Sequence, residues 1–364
     1  MKILFVLNHF FPCIGGIERI SFDLAEALSK KELQVSVACL NKCSKGGESL
    51  REYEEINGIK INRLPFINLK YYLIPKNLLK LLKLVEQNDI IHIHGFSFMT
   101  DFLLLTKPFH KRKIIISTHG GFFHTQNLLF FKKIYFNLIL PVLLTQAHKV
   151  LAVSRQDYVL FKNILSLDKI KLLENTINEE KFSKFSGKKE KNTFLFTGRL
   201  SENKRIDLLL KSFVQTTKRI HAAKLFIVGP DWNNNLSKLK VLSLKLGVQE
   251  NVFFEGSKSE EELLKYYGKS EFFISASDYE GFGLSVLEAV ACQCIPILNK
   301  ISAFRDLIMR GEGVLVDFHS ENAGNEITDF CIDKECIAKA RKNIDSRKSK
   351  KSMNSYIDAL LNYI

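Results

Sequence analysis

Metal-binding patterns are missing from this 364-residue sequence. It contains no Asp-x-Asp, no repeated Cys-x-x-Cys and no His-Glu-x-x-His. Neither a structural zinc site nor a carboxylate pair carrying a cation to a diphosphate is therefore expected. The seven cysteines, at 13, 39, 43, 292, 294, 331 and 336, are odd in number, which argues against a disulfide framework and for a reducing cytoplasm. A Walker loop, a full Gly-x-Gly-x-x-Gly and a Gly-x-Ser-x-Gly elbow are also lacking, and with them the signatures of the common two-domain αβ enzymes. No run reaches the roughly 18 apolar residues of a spanning helix, since the nearest, 134–145, is broken by Asn137 and Pro141. The apolar start, 1–7, stops at Asn8-His9 without a cleavage site and reads as a buried strand, not a leader.

What is present describes a globular chain, with 46% hydrophobic and 25% charged residues. The length favours two domains. The formal charge of +14 is uneven, residues 1–183 holding 25 Lys+Arg against 16 Asp+Glu. No helix-turn-helix, zinc-finger or RNA-binding signature accompanies it, so nucleic acid is not the expected partner. The basic residues alternate instead with aromatic and aliphatic ones at 68–84, 109–113 and 130–135. That pattern suits an anionic membrane surface, and equally the solvated face of half-buried helices.

Strand and helix patterns alternate throughout, predicting an α/β fold with parallel sheets covered on both faces. Strands are expected at 2–7, 34–40, 59–64, 89–95, 113–117 and 149–154, then at 193–197, 224–228, 252–254, 272–277 and 294–298. Between the sets, 182–191 is charged and small, which makes it the expected linker between a first domain, 1–183, and a second, 184–349. Ligands of such domains are expected at the strand C-terminal ends, in the central cleft the domains face.

The densest constellation is Glu280-Gly281-Phe282-Gly283-Leu284-Ser285-Val286-Leu287-Glu288, where a strand hands the chain to a helix. Gly281 and Gly283 let backbone approach a ligand, and the first helical N–H groups attract anionic oxygen. Glu280 sits ahead of the helix and Glu288 two turns into it, spaced for two parts of one elongated ligand. Gly15-Gly16 would present bare N–H groups where the first strand meets the first helix. Arg199 and Lys204 offer a fork and a point charge after the strand at 193–197, suited to a departing diphosphate without a metal. His119, flanked by Gly120 and Gly121, can bond a sugar hydroxyl or shuttle a proton. His92 and His94 share a strand face, but no third metal ligand is evident, so packing and loop support are expected of them.

Together these residues resemble the retaining GT-B glycosyltransferases of family 4 over essentially the whole chain. Within that family, His92-Ile93-His94-Gly95-Phe96 and Ser117-Thr118-His119-Gly120-Gly121-Phe122-Phe123-His124-Thr125 look most like bacterial exopolysaccharide α-mannosyltransferases of the xanthan and acetan type. The resemblance implies two Rossmann-like domains facing a central cleft. It implies GDP-mannose as donor, a polyprenyl-diphosphate-linked glycan as acceptor, no metal cofactor, and a cytoplasmic enzyme on the inner face of the membrane. By the same resemblance Glu280 contacts the donor sugar, with N–H groups of Phe282, Gly283 and Leu284 near sugar and diphosphate. Glu288 takes the ribose, Arg199 and Lys204 the diphosphate, Gly15-Gly16 a phosphate, and His119 the sugar near its 6-hydroxyl. A tail helix over about 350–364 packs back on the first domain. The chain departs from the pattern at Asn175-Thr176, where Asn-Gly is usual, at Arg205, where glycine is usual, and in a tail without tryptophan. A UDP-sugar donor is the alternative within the family, and a basic non-catalytic protein binding nucleic acid or membrane is the alternative outside it.

Overall fold

Short runs rich in isoleucine, valine and phenylalanine, bounded by turn residues, make the central strands of two largely parallel sheets. The computed structural model describes all residues except 14, 44–47, 70–71, 121–128, 186, 309–310 and 347–351, and the side chains of 129, 306 and 307. The chain divides into one unit of Met1–Ile177 with Lys351–Ile364 and a second of Asn178–Lys350.

The first unit contains β1 (Lys2–Val6), β2 (Gln34–Leu40), β3 (Tyr53–Ile56), β4 (Ile59–Leu64), β5 (Phe66–Leu69), β6 (Tyr72–Pro75), β7 (Ile90–His94), β8 (Lys113–Ser117), β9 (Lys149–Ala152) and β10 (Ile170–Leu172). Eight of these form one sheet in the order β10-β9-β8-β7-β1-β2-β4-β3. Neighbours are parallel except β3, which runs antiparallel on β4. Ile3 to Val6, Ile91, Ile93 and Ile114 to Ile116 are at most 1% exposed, as central parallel strands covered on both faces require. Between β4 and the helix Leu78–Glu86, where no strand is expected from the sequence, β5 and β6 pair antiparallel as a separate two-stranded sheet. Its strands of four residues are too short for a periodicity reading.

The second unit contains β11 (Glu190–Thr197), β12 (Lys224–Val228), β13 (Val252–Gly256), β14 (Ser270–Ser275), β15 (Ile295–Asn299) and β16 (Val314–Val316). They pair in parallel as β13-β12-β11-β14-β15-β16. Residues 182 and 183 are not linker. Phe182 lies in the helix Glu179–Ser183, is 1% exposed, and accepts a hydrogen bond from Cys292 Sγ at 3.3 Å on its carbonyl. One apolar anchor inside a charged run carries little weight in a composition average, so the division falls earlier than the sequence pattern suggests.

The helix Met353–Leu361 belongs to the first unit and packs on the helix Gly16–Lys30. It buries Met353, Tyr356, Ile357 and Leu360. Each such side chain contributes about 1.5–3 kcal/mol, so a tail without tryptophan still has an adequate apolar face. Lys31 pairs with Asp358, and Lys113 Nζ donates to the Ile364 carbonyl at 2.9 Å.

Candidate functional site

In the second unit the loops after β11 and β14 are stitched together. Asp278 N donates to the Asn203 carbonyl at 2.9 Å. Lys204 Nζ meets Glu280 Oε1 at 2.5 Å, with side chains only 15% and 14% exposed. An ammonium has three donors, and Glu280 engages one of them. Arg199 lies over the Trp232 ring at 4.6 Å, a stack that orients the guanidinium plane. Gly229, after β12, is obligatory: φ is +148, and an added Cβ would collide with the Gly198 carbonyl. Gly283 precedes the helix Leu284–Ala291 with φ +91. Gly281 and Phe282 lead into it, so the open N–H groups of this helix start stand just beyond Glu280.

Arg205 follows Lys204 with φ +47, the left-handed region where glycine is the usual occupant. Such a conformation costs about 1–3 kcal/mol. Here the side chain offsets it with paired bonds to Asp207, both 3.0 Å, and one to Asp278 at 2.9 Å. Those carboxylates raise the guanidinium's pKa further. His319 Nε2 and Asp278 Oδ1, 2.7 Å apart, complete the brace. Arg205 thus takes over a glycine's conformation and ties the two loops to each other.

Glu288 is 5% exposed, and its Oε2 accepts from Tyr267 Oη at 2.8 Å. Tyr267 Oη is also 2.7 Å from Thr197 Oγ1. The sequence placed Glu288 in the ligand's path. The structure makes it a buried carboxylate oriented by Tyr267, a partner 21 residues away that no local pattern reveals.

In the first unit, Gly15 caps the helix Gly16–Lys30 in an extended conformation, and an added Cβ would strike the Glu18 carboxylate. The loop before it is anchored twice. Arg63, 1% exposed, donates from Nη2 to the Phe11 carbonyl at 2.7 Å and pairs with Glu54. Cys13 is disulfide-bonded to Cys43, contrary to the expectation from the odd cysteine count. The cause is topological. β1 and β2 are paired neighbours, so the loops leaving their C-terminal ends lie side by side, bringing the two Cα atoms to 5.3 Å across 30 residues.

His119 follows β8 with φ +53 and is partly exposed. Its turn is held by Asp157, which accepts from Gly120 N at 2.9 Å and from the Thr118 hydroxyl. His119 Nε2 lies 3.0 Å from His94 Nδ1. The β7–β8 pairing thus brings a third histidine beside His92 and His94, as a packing and hydrogen-bond partner. No group of three His, Cys, Asp or Glu among the described residues is arranged to hold a metal ion. Burial pushes His92 down to about 3, His119 to about 4 and His94 well below the ordinary histidine range. Gly121 and the stretch to Thr125 lie outside the described residues, as do Lys70 and Tyr71.

The structure therefore brings Lys204 and Glu280 together, with Gly281 to Leu284 beside them, and sets His119 on His94. Glu288 and Arg199 are each held by a partner the sequence did not point to, Tyr267 and Trp232. Asp157 and Asp278, which organise the two loop systems, were also missed, because an isolated aspartate has no sequence signal.

Two Rossmann-like units of this kind are the building blocks of the GT-B class of glycosyltransferase, to which the structural neighbours belong. Anabaena HepE, solved in complex with UDP and glucose, has the same fold, with a TM-score of 0.77 and 16% identity over 100% of both chains. Two family models match, Glycosyltransferase Family 4 over residues 14–181 and Glycosyl transferases group 1 over 178–351. The chain belongs to glycosyltransferase family 4. Its relatives include the GDP-mannose:cellobiosyl-diphosphopolyprenol alpha-mannosyltransferases of Xanthomonas oryzae pv. oryzae and Komagataeibacter xylinus. Each is 30% identical to it over 87% of this chain, and 83% and 80% of those chains are covered.

Proposed function

We propose that this glycosyltransferase moves α-mannose from GDP-mannose to a polyprenyl-diphosphate-linked oligosaccharide with retention at the anomeric carbon. The observation that carries this reading is 30% identity along most of the length of relatives that bear that activity in their names. Lys204 and Arg199 receive the diphosphate, Lys204 with the N–H donors that Glu280 leaves unused. Glu280 holds the sugar's hydroxyls, Glu288 the ribose, Gly15-Gly16 a phosphate oxygen, and His119 the sugar near its 6-hydroxyl. The bond between anomeric carbon and phosphate oxygen breaks as the acceptor hydroxyl forms its bond on the same face. The acceptor's proton passes to the leaving phosphate, and the new negative charge is met by fixed cations and helix-start N–H groups. The absence of Asp-x-Asp supports turnover without a metal. The reading is tested by thermal shift: GDP is expected to raise the melting temperature and UDP to leave it unchanged. A shift with UDP alone would replace the mannosyl donor by a UDP-sugar.

The first unit would meet the acceptor at an anionic membrane surface. Support comes from a broken helix, Leu129–Ile134, a π-helical turn Tyr135–Ile139 and Leu140–Leu144. It buries Phe136, Leu140 and Leu144 yet leaves Phe130, Phe131, Leu138 and Val142 between 64% and 70% exposed. Phe109, in the helix Lys107–His110 earlier in the chain, is 85% exposed. Lys107, Lys111, Lys132 and Lys133 accompany these side chains in sequence, the combination that interfacial binding requires. No described helix is long and apolar enough to cross a membrane. Sedimentation with phosphatidylglycerol vesicles should be lost in Phe130→Ser/Phe131→Ser; retention would remove this surface from the proposal.

A further inference from the structure

Three imidazoles lie against one another in the first unit. His92 and His94 share one face of β7, with ring centroids 4.2 Å apart, and His119 stacks on His94 at 5.2 Å. Phe5 of β1 closes the cluster, 5.3 Å from His92 and 4.7 Å from His94. His92 Nε2 bonds Ser117 Oγ at 2.8 Å, and His94 Nδ1 bonds His119 Nε2 at 3.0 Å. The remaining ring nitrogens, His92 Nδ1 and His94 Nε2, are buried without a hydrogen-bond partner among the described residues. His92 is 1% exposed and His94 6%.

These two orphaned atoms decide where the protons are. A neutral imidazole carries one N–H and one lone pair. A buried N–H without an acceptor is rarer and costlier than a lone pair without a donor. His92 therefore keeps its proton on Nε2 and donates to Ser117. His94 keeps its proton on Nδ1 and donates to His119 Nε2. His119 Nε2, as the acceptor in that bond, is bare, and the His119 proton resides on Nδ1. The backbone around His119 is already fixed by Asp157 through Thr118 and Gly120, so His94 controls the remaining freedom, the ring's orientation and tautomer.

We infer that His94 is a positioning residue that locks His119 as an Nδ1–H hydrogen-bond donor, so that His119 donates to a hydroxyl of the donor sugar and does not act as a base toward the acceptor. This rests on the proposal above that His119 meets the donor sugar. It fits a same-face transfer in which the leaving phosphate takes the acceptor's proton, since that reaction has no use for a histidine base.

Heteronuclear NMR of the imidazole nitrogens in the ligand-free enzyme, assigned with single variants, tests the lock directly. The expected spectrum has His119 protonated at Nδ1 and bare at Nε2; a proton on Nε2 would overturn the inference. Kinetics test its use. His94→Phe keeps the ring's shape and removes the bond, and kcat/KM for GDP-mannose should fall about tenfold or more, while the affinity for GDP, which has no sugar, stays within about twofold. His94→Asn, which keeps an N–H near the place of Nδ1, should recover most of the loss. Unchanged turnover in His94→Phe, or an equal loss of GDP binding, would overturn the positioning role. If His94→Phe does not fold, the wild-type spectrum and His94→Asn still decide. A His119→Ala enzyme with normal GDP-mannose kinetics would sink the sugar contact, whereas Nε2–H on His119 would sink the lock alone.

Discussion

Replacing Lys204 by methionine keeps most of the apolar stem and deletes the ammonium with its charge, and two consequences can be separated. The first is chemical. A positive charge about 4 Å from the charge developing on the departing diphosphate is worth about 4 kcal/mol at an effective dielectric near 20, and losing one such contact typically costs about 2.7–4 kcal/mol of transition-state stabilisation. kcat should fall about a hundredfold to a thousandfold. The second is structural. Glu280, now unpaired and only 14% exposed, costs the fold about 1–3 kcal/mol, a few degrees of melting temperature in a chain of this size. Adding Glu280→Gln removes the stranded charge, so the double variant should regain stability without regaining activity. Initial rates of GDP release at saturating donor, with calorimetry of each variant, measure both. A Lys204→Met enzyme within about fivefold of wild-type kcat would refute the diphosphate role.

Acid should destabilise the first unit in a defined window. The unfolded chain protonates its histidines as pH falls through about 6.5, but folded His92, fully buried, resists until about 3. Its contribution is therefore complete above pH 6.5 and lost as pH falls toward 3, at about 1.4 kcal/mol per pH unit. Asp101 and Asp157, whose carboxyls burial pushes up, act in the opposite sense at the acid end. Calorimetry at pH 7 and pH 5 should show a lower midpoint at pH 5, with a smaller difference in His92→Phe; equal midpoints would contradict the burial argument. Tyr267→Phe should cost about 1–3 kcal/mol in urea unfolding and weaken GDP binding severalfold by freeing Glu288, whereas unchanged affinity would take Glu288 away from the ribose. Turnover should persist in excess EDTA, and activity abolished by EDTA and restored by magnesium would contradict a diphosphate held by Lys204 and Arg199 alone.

The parallel sheets were legible because their central strands are apolar runs, such as residues 3–6 and 225–228, and because glycines mark where backbone must approach closely. Glu280 and Lys204 were legible as candidates from their places after strands, but their contact spans 76 residues and belongs to tertiary structure. The same holds for Tyr267 on Glu288, Trp232 under Arg199 and His119 on His94: each is a single side chain whose partner is chosen by sheet order, not by local periodicity. Cys13 and Cys43 show the limit of counting, since an odd total says nothing of two cysteines that strand pairing brings together. Arg205 shows the converse, where a departure from the family pattern becomes intelligible once its φ of +47 and its three ion-paired hydrogen bonds are seen.

The central claim is the identity of the two substrates, and one transfer assay addresses it. Purified enzyme is given tritiated GDP-mannose and polyprenyl-diphosphate-linked oligosaccharides in phosphatidylglycerol vesicles, and the organic phase is analysed for lipid-linked sugar. The account predicts label in a lipid-linked product from which α-mannosidase releases it. Label that stays in the aqueous phase, while a UDP-sugar is transferred to the same acceptor, would contradict it.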